Sequence, residues 1–74
     1  MDNQRIYQLG QKIKQLYQDE VGGNPKDLIR RWDDGAWYYV MRNDDTQAVV
    51  PIRDVAEDRR DHIVEALRKF QPIS

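Results

Sequence analysis

The chain has 74 residues, a net charge of −1 and no cysteine. This length allows one small domain over residues 1–74, and the lack of cysteine excludes disulfides and thiolate metal sites. Hydrophobic residues make up 39% and charged residues 34%, which is enough apolar material to fold. No apolar run approaches membrane-spanning length and no signal peptide is recognisable, so we expect a cytoplasmic protein without a membrane partner. The near-zero charge predicts no general attraction to nucleic acid.

The first predicted element is an amphipathic helix over residues 3–20. Its apolar positions recur at helical spacing, and the run of glycines, asparagine and proline that follows is a helix stop. These apolar positions are Ile6, Leu9, Ile13 and Leu16. Gly10 lies beside this stripe, where a glycine costs about 1 kcal/mol against alanine. Either it is simply tolerated or another stretch of backbone approaches the helix closely there.

Residues 26–32 are compatible with a strand or with a short helix. We favour the strand because residues 33–35, Asp-Asp-Gly, are typical of a three-residue hairpin loop with glycine in the left-handed bulge position. Residues 36–42 are rich in aromatic and β-branched side chains and predict a second strand. The two strands are therefore expected to form a hairpin.

A third strand is predicted over residues 47–53, after a four-residue turn at 43–46, and Pro51 places this strand at an edge. The last helix is predicted to begin near Asp54, which can act as the first residue of a capping box, and we expect residues 71–74 to fray. The predicted fold class is α+β in the order α-β-β-β-α. It is a three-stranded antiparallel meander with two helices packed on one face.

The loop lengths assign the strand side chains to two faces of the sheet. A three-residue first loop pairs Trp32 with Ala36, and a four-residue second loop pairs Arg42 with Gln47. Paired residues share a face, as do alternate residues along a strand. The face predicted to meet the helices is almost wholly apolar: Ile29, Arg31, Trp37, Tyr39, Met41, Ala48, Val50 and Ile52. The outward face mixes arginines with aromatic rings: Leu28, Arg30, Trp32, Tyr38, Val40, Arg42, Val49 and Arg53.

The outward face is where we expect a partner to bind. Trp, Tyr and Arg are the usual hot-spot residues of protein interfaces, and guanidinium groups bind carboxylates in a bidentate fork. We therefore expect a small protein-interaction module (an adaptor, inhibitor or accessory subunit) whose partner is a protein with an acidic surface, or a second copy in a homo-oligomer. The predicted contacts are Arg30, Trp32, Tyr38, Arg42 and Arg53. The competing interpretation is that the arginines only keep a wet face soluble.

Nucleic acid is the alternative partner, which we rank below protein. The α-β-β-β-α order resembles that of the double-stranded RNA-binding module, which presents basic residues at the start of its last helix. Arg59 and Arg60 occupy that position here and are the candidate nucleic-acid contacts. Glu57, Asp58 and Asp61 surround them, so the local charge is nearly balanced and the resemblance is limited to topology.

The residue types give little support to catalysis or metal binding. The one histidine, His62, has Asp58 four residues before it, which is more often a surface ion pair than a catalytic pair. No arrangement for nucleophilic catalysis can be proposed. The aspartate pairs at residues 33–34 and 44–45 suit turns better than calcium, which needs six or more oxygens. We therefore predict no enzymatic activity, no cofactor and no metal.

Overall fold

The computed structural model describes residues 3–73. Its elements are α1 (Asn3–Glu20), β1 (Asp27–Asp33), β2 (Ala36–Asn43), β3 (Thr46–Pro51), α2 (Ile52–Ala56), α3 (Arg60–Arg68) and β4 (Gln71–Pro72). The strands form one antiparallel sheet in the order β1-β2-β3-β4. The α+β class and the first helix are thus confirmed, and the first ambiguous segment is a strand, but the sheet has four strands instead of three. No helix within residues 3–73 is long and apolar enough to cross a membrane.

The helices cover one face of the sheet and bury an apolar cluster between the two layers. Its buried members are Ile6, Ile13, Leu16, Tyr17, Tyr39, Met41, Val50, Ile52, Val55, Ile63 and Leu67. These residues come from α1, from the central strands β2 and β3, and from α2 and α3. Burial of apolar surface therefore holds the helical layer to the middle of the sheet.

Gly10 allows α1 to lie close against the sheet. It is buried in the middle of the helix, and a Cβ here would lie 3.1 Å from Cδ2 of Leu28 and 3.2 Å from Cε1 of Tyr39. The close approach considered for this glycine is present, but side chains make it, not backbone. The Tyr39 hydroxyl donates a hydrogen bond to the Ile6 carbonyl in the same region, and burial raises the pKa of this hydroxyl.

The first hairpin differs from the predicted one by one residue. Its loop is Asp34-Gly35, with φ angles of 50° and 76°, as a type I′ turn requires, and it pairs Trp32 with Trp37. The predicted pairing with Ala36 is wrong because Asp-Gly favours the two-residue turn that matches the strand twist. A shift of one residue moves every side chain of a strand to the other face. The helix-facing side of β1 therefore carries Leu28, Arg30 and Trp32, and its outer side carries Ile29 and Arg31.

The second hairpin has the predicted register. Arg42 pairs with Gln47, although the loop is the two-residue segment Asp44-Asp45, because Asn43 and Thr46 form one further pair. Replacing a four-residue loop by a two-residue loop leaves the same residues opposite each other. The predicted faces of β2 and β3 are therefore confirmed.

The predicted last helix is in fact two helices. α2 ends at Ala56 and α3 begins at Arg60, and Asp58 lies between them with a φ of 56°. A left-handed residue cannot continue a right-handed helix, and aspartate tolerates this conformation better than most residues. Asp54 is not the predicted cap: it is buried inside α2, and its carboxylate accepts a hydrogen bond from Arg59 at 3.1 Å.

The end of β3 and the last residues also differ from the prediction. β3 stops at Pro51, so Ile52 and Arg53 belong to α2 and not to a strand. Gln71–Pro72 does not fray but pairs as β4 with the first two residues of β3, and Ser74 lies outside the described residues. β4 therefore lies along the start of β3, and β3 is not the edge strand predicted from Pro51, although from Ala48 to Pro51 it pairs only with β2 within the described residues.

Candidate interaction site at the first hairpin

A cleft opens where the chain leaves β3 and enters α2. The last ladder pair between β2 and β3 joins Tyr38 to Pro51, so the first two residues of β2 extend beyond β3. The helix α2 begins at the next residue and contacts both strands. The result is a cleft of about 400 Å³, termed the hairpin cleft, lined by Ala36, Trp37, Tyr38, Pro51, Ile52, Arg53, Ala56 and Glu57.

The walls of the hairpin cleft are mainly apolar and aromatic. Trp37 packs against the core on one side and meets the ring of Trp32 edge-on, with centroids 4.9 Å apart and an interplanar angle of 77°. Trp32 itself is 57% exposed, and every residue of β1 except Leu28 is exposed. The only charged lining residues are Arg53 and Glu57. A concave apolar surface with few polar groups is typical of a binding site.

The structure brings together three of the five predicted contact residues. Tyr38 and Arg53 line the hairpin cleft, and Trp32 packs on the Trp37 wall. Arg42 lies on the outer face at the far end of β2, whereas Arg30 lies on the helix-facing side, at a smaller cleft between α1 and β1. The five residues therefore do not share one face of the sheet, contrary to the predicted register.

The outer face of the sheet carries an apolar row between two polar rows. The apolar row crosses three strands and consists of Ile29, Val40 and Val49. Val40 is only 1% exposed, although the helices lie on the opposite face. Arg31 is opposite Tyr38 on one side of this row, and Arg42 is opposite Gln47 on the other. The Arg42 Nε and Gln47 Oε1 atoms are buried without a hydrogen-bond partner among the described residues.

The cations of the described residues differ in their ion pairing. Four cations of the helical layer each lie within 3.3 Å of a carboxylate oxygen, namely Lys12, Arg59, Arg60 and Lys69. Within the described part of the chain, five other arginines have no carboxylate at ion-pair distance: Arg30, Arg31, Arg42 and Arg53 of the sheet and the cleft, and Arg68 of α3. Their guanidinium groups are free to bind a carboxylate or a phosphate.

The two candidate nucleic-acid contacts are engaged by carboxylates. Arg59 lies 3.1 Å from an oxygen of Asp54, and Arg60 lies 3.3 Å from an oxygen of Glu20. A phosphate would have to compete with these groups. Neither arginine lines the hairpin cleft.

His62 does not contact the carboxylate considered as its partner. Asp58 pairs with Lys12 instead, with Nζ and Oδ1 2.7 Å apart, and the hydrogen bond and charge of Lys12 lower the pKa of the Asp58 carboxyl. Nε2 of His62 lies 3.4 Å from Nη2 of Arg59. Among the residues that the structure describes, no three His, Asp or Glu residues are grouped so that they could hold a metal ion.

Sequence reasoning missed the part of the hairpin cleft that α2 supplies. Ile52 was predicted to lie in a strand, and Ala56 in a helix that begins near Asp54. The observed helix α2 begins at Ile52. Trp37 was assigned wholly to the core, although it also forms a wall of the cleft. The usable signal was the Asp-Gly dipeptide at residues 34–35, because a type I′ turn there fixes the position of both tryptophans.

Comparisons of the chain with protein-family models, with curated proteins and with solved structures find no match. The residues of the hairpin cleft and of the sheet, with their charges, are therefore the basis for a functional conclusion.

Proposed function

We propose that this protein is a small cytoplasmic interaction module, working as an adaptor, inhibitor or accessory subunit, and that its hairpin cleft receives an apolar side chain of a partner protein. The supporting observation is the meeting of Tyr38, the Trp32–Trp37 pair and Arg53 around one apolar cleft. Arg53 has no ion pair within the described residues. Trp, Tyr and Arg in and around a desolvated pocket are the residues that usually dominate interface energetics. The role is one of binding, without a catalytic step.

The charges around the hairpin cleft indicate the chemistry of the partner. Arg53 lies on the α2 side of the cleft. It has no carboxylate at ion-pair distance within the described residues. A bound segment with an aromatic or aliphatic anchor flanked by Asp or Glu would fill the cleft and neutralise this guanidinium group.

Selection from a displayed random-peptide library tests this proposal without a known partner. We expect enrichment of peptides that combine an apolar anchor with acidic neighbours. Tyr38→Ala and Arg53→Ala should each weaken binding of the selected peptides by about tenfold or more. Arg68→Ala is the matched control, because Arg68 is an exposed arginine of α3 away from the cleft. Failure to enrich such peptides, or equal binding by the Arg53 and Arg68 variants, would contradict the proposal.

Nucleic-acid binding is the second candidate, because Arg30, Arg31, Arg42 and Arg53 could bind phosphates. Counterion release makes phosphate binding fall steeply as the salt concentration rises, whereas an apolar anchor in a cleft is much less sensitive. A gel shift with mixed RNA and DNA separates the two. A shift at low salt that disappears on adding salt would support nucleic acid, and no shift at low salt would remove this candidate.

A further inference from the structure

β1 forms an open edge of the sheet. It pairs with β2 on one side, and no other strand within residues 3–73 lies along its second side. Six of its seven residues are exposed and Leu28 is half-buried, so the helices cover little of this strand. A long exposed edge with unpaired N–H and C=O groups is a template for pairing with another chain.

The first hairpin determines which backbone groups of β1 point away from the sheet. A two-residue turn closes on a hydrogen-bonded pair, here Asp33 with Ala36, and such pairs alternate with non-hydrogen-bonded ones along an antiparallel ladder. The odd-numbered residues of β1 therefore bond to β2. The groups that point outward belong to Leu28, Arg30 and Trp32.

The side chains of β1 are complementary to themselves in one antiparallel register, with Ile29 opposite Ile29 of a second copy. In this register, Asp27 of each copy is opposite Arg31 of the other, on the outer face, and opposite charges in such pairs are favourable. Leu28 of each copy is opposite Arg30 of the other, and each of these pairs exchanges two backbone hydrogen bonds. The apolar row of the outer face then continues into the same row of the second copy.

We propose that the chain forms a symmetric dimer by antiparallel pairing of its β1 edges, centred on Ile29, which joins two four-stranded sheets into one. A second copy is the partner because both members of the Asp27–Arg31 complementarity belong to β1 itself. The dimer does not rest on the proposed function of the hairpin cleft, because that cleft lies on the β3 side of β2.

Other symmetric registers are less complementary. Centring on Arg30 places this arginine opposite its copy and Asp27 opposite Asp33, and centring on Arg31 again brings two arginines together. Like charges directly opposite each other are destabilising. Centring on Trp32 pairs Arg31 with Asp33, but only the end of the strand overlaps and the other outward backbone groups stay unpaired.

Charge exchange across the proposed interface tests the dimer in the full chain. Sedimentation equilibrium over a concentration series should show a mass approaching twice 8.8 kDa. Arg31→Asp or Asp27→Arg alone should weaken dimerisation by about tenfold, because each creates two like-charge pairs. The double variant should regain most of the affinity, and Arg68→Asp on α3 should have no effect. A monomeric mass at every concentration, or a double variant no better than the single ones, would overturn the proposal.

Amide hydrogen exchange reports the register of the proposed β1–β1 pairing, and it can be measured on the unaltered protein. At high protein concentration, the N–H groups of Leu28 and Arg30 should become protected, whereas that of Trp32 should continue to exchange. Arg30→Pro removes an outward N–H and leaves the bonds to β2 intact, so it should abolish the dimer while the hairpin persists. Protection of Trp32 instead of Leu28 would contradict the proposed interface.

Discussion

The two hairpins share β2, but their outer strands are held by different forces. β3 places Ala48 and Val50 in buried positions beneath the helices, whereas β1 has no buried residue. A slip of β3 by one residue would expose this pair and bury a different set, so the core specifies its register. The register of β1 depends on the Asp34-Gly35 turn instead. Of these two strands, β1 buries less in the core, and its edge is open to another molecule.

Truncation of one aliphatic side chain in each outer strand should show the largest contrast. Val50→Ala removes fully buried methyl groups and should cost about 2 kcal/mol of unfolding free energy. Ile29→Ala removes more atoms, but from a side chain 38% exposed, and should cost less than about 1 kcal/mol. Urea unfolding at low protein concentration measures both. Equal losses would mean that β1 is held by burial after all.

The turn of the first hairpin should have the next largest effect. Gly35→Ala forces a side chain onto a φ of 76° and should cost about 1–2 kcal/mol, with β1 amides losing exchange protection before those of β2 and β3. Asp45→Ala in the second loop is the control, because Asp45 is exposed and does not have a positive φ. Loss of protection spread evenly over the sheet would contradict a register set locally by the turn.

Arg59 and Arg60 each form an ion pair, but the carboxylate partner of Arg59 is buried and that of Arg60 is not. Removing each arginine therefore compares a buried with an exposed ion pair. Arg59→Ala leaves the buried carboxylate of Asp54 without its partner and should cost about 1 kcal/mol. Arg60→Ala breaks a pair whose side chains are 58% and 36% exposed, and should cost a few tenths of a kcal/mol at most. Thermal unfolding distinguishes them. A larger loss for Arg60→Ala would contradict the burial of Asp54 as the deciding factor.

The smallest expected effect concerns the exposed pair of Lys12 and Asp58. Lys12 lowers the folded-state pKa of this carboxyl below 3.8, so the pair stabilises the fold above that pH and ceases to do so as the pH falls through the lowered pKa. Lys12→Met should return the Asp58 titration to its usual range and remove this contribution. Carbon-13 NMR titration of the carboxyl measures the change. Identical titration midpoints in both proteins would show that Lys12 is not the cause.

Elements whose positions are set by burial could be predicted from the sequence, whereas positions set by turns could not. The periodicity of α1 and the apolar alternation of β2 and β3 identified these elements correctly, because burial imposes a regular pattern. The strand β1 was predicted, but its register was wrong by one residue, because a three-residue and a two-residue loop share the same glycine. The break at Asp58 and the pairing of β4 were missed because single left-handed residues and two-residue strands leave no periodic signal.

The candidate site was only partly predictable for the same reason. Tyr38 and Arg53 were predicted as contact residues from their types, but their meeting depends on where β3 ends and α2 begins. Arg30 and Arg42 were grouped with them by a register that was one residue off for β1. Side-chain chemistry thus indicated which residues could bind a partner, and the end of a strand determined which of them lie together.

The most direct test of the hairpin cleft is an NMR titration of the labelled protein with the tightest peptide from the display selection. We predict chemical-shift changes confined to Ala36–Tyr38 and residues 52–57, with α3 around Arg68 unchanged. Changes centred on α3, with none at the cleft, would contradict the assignment of this cleft as the interaction site.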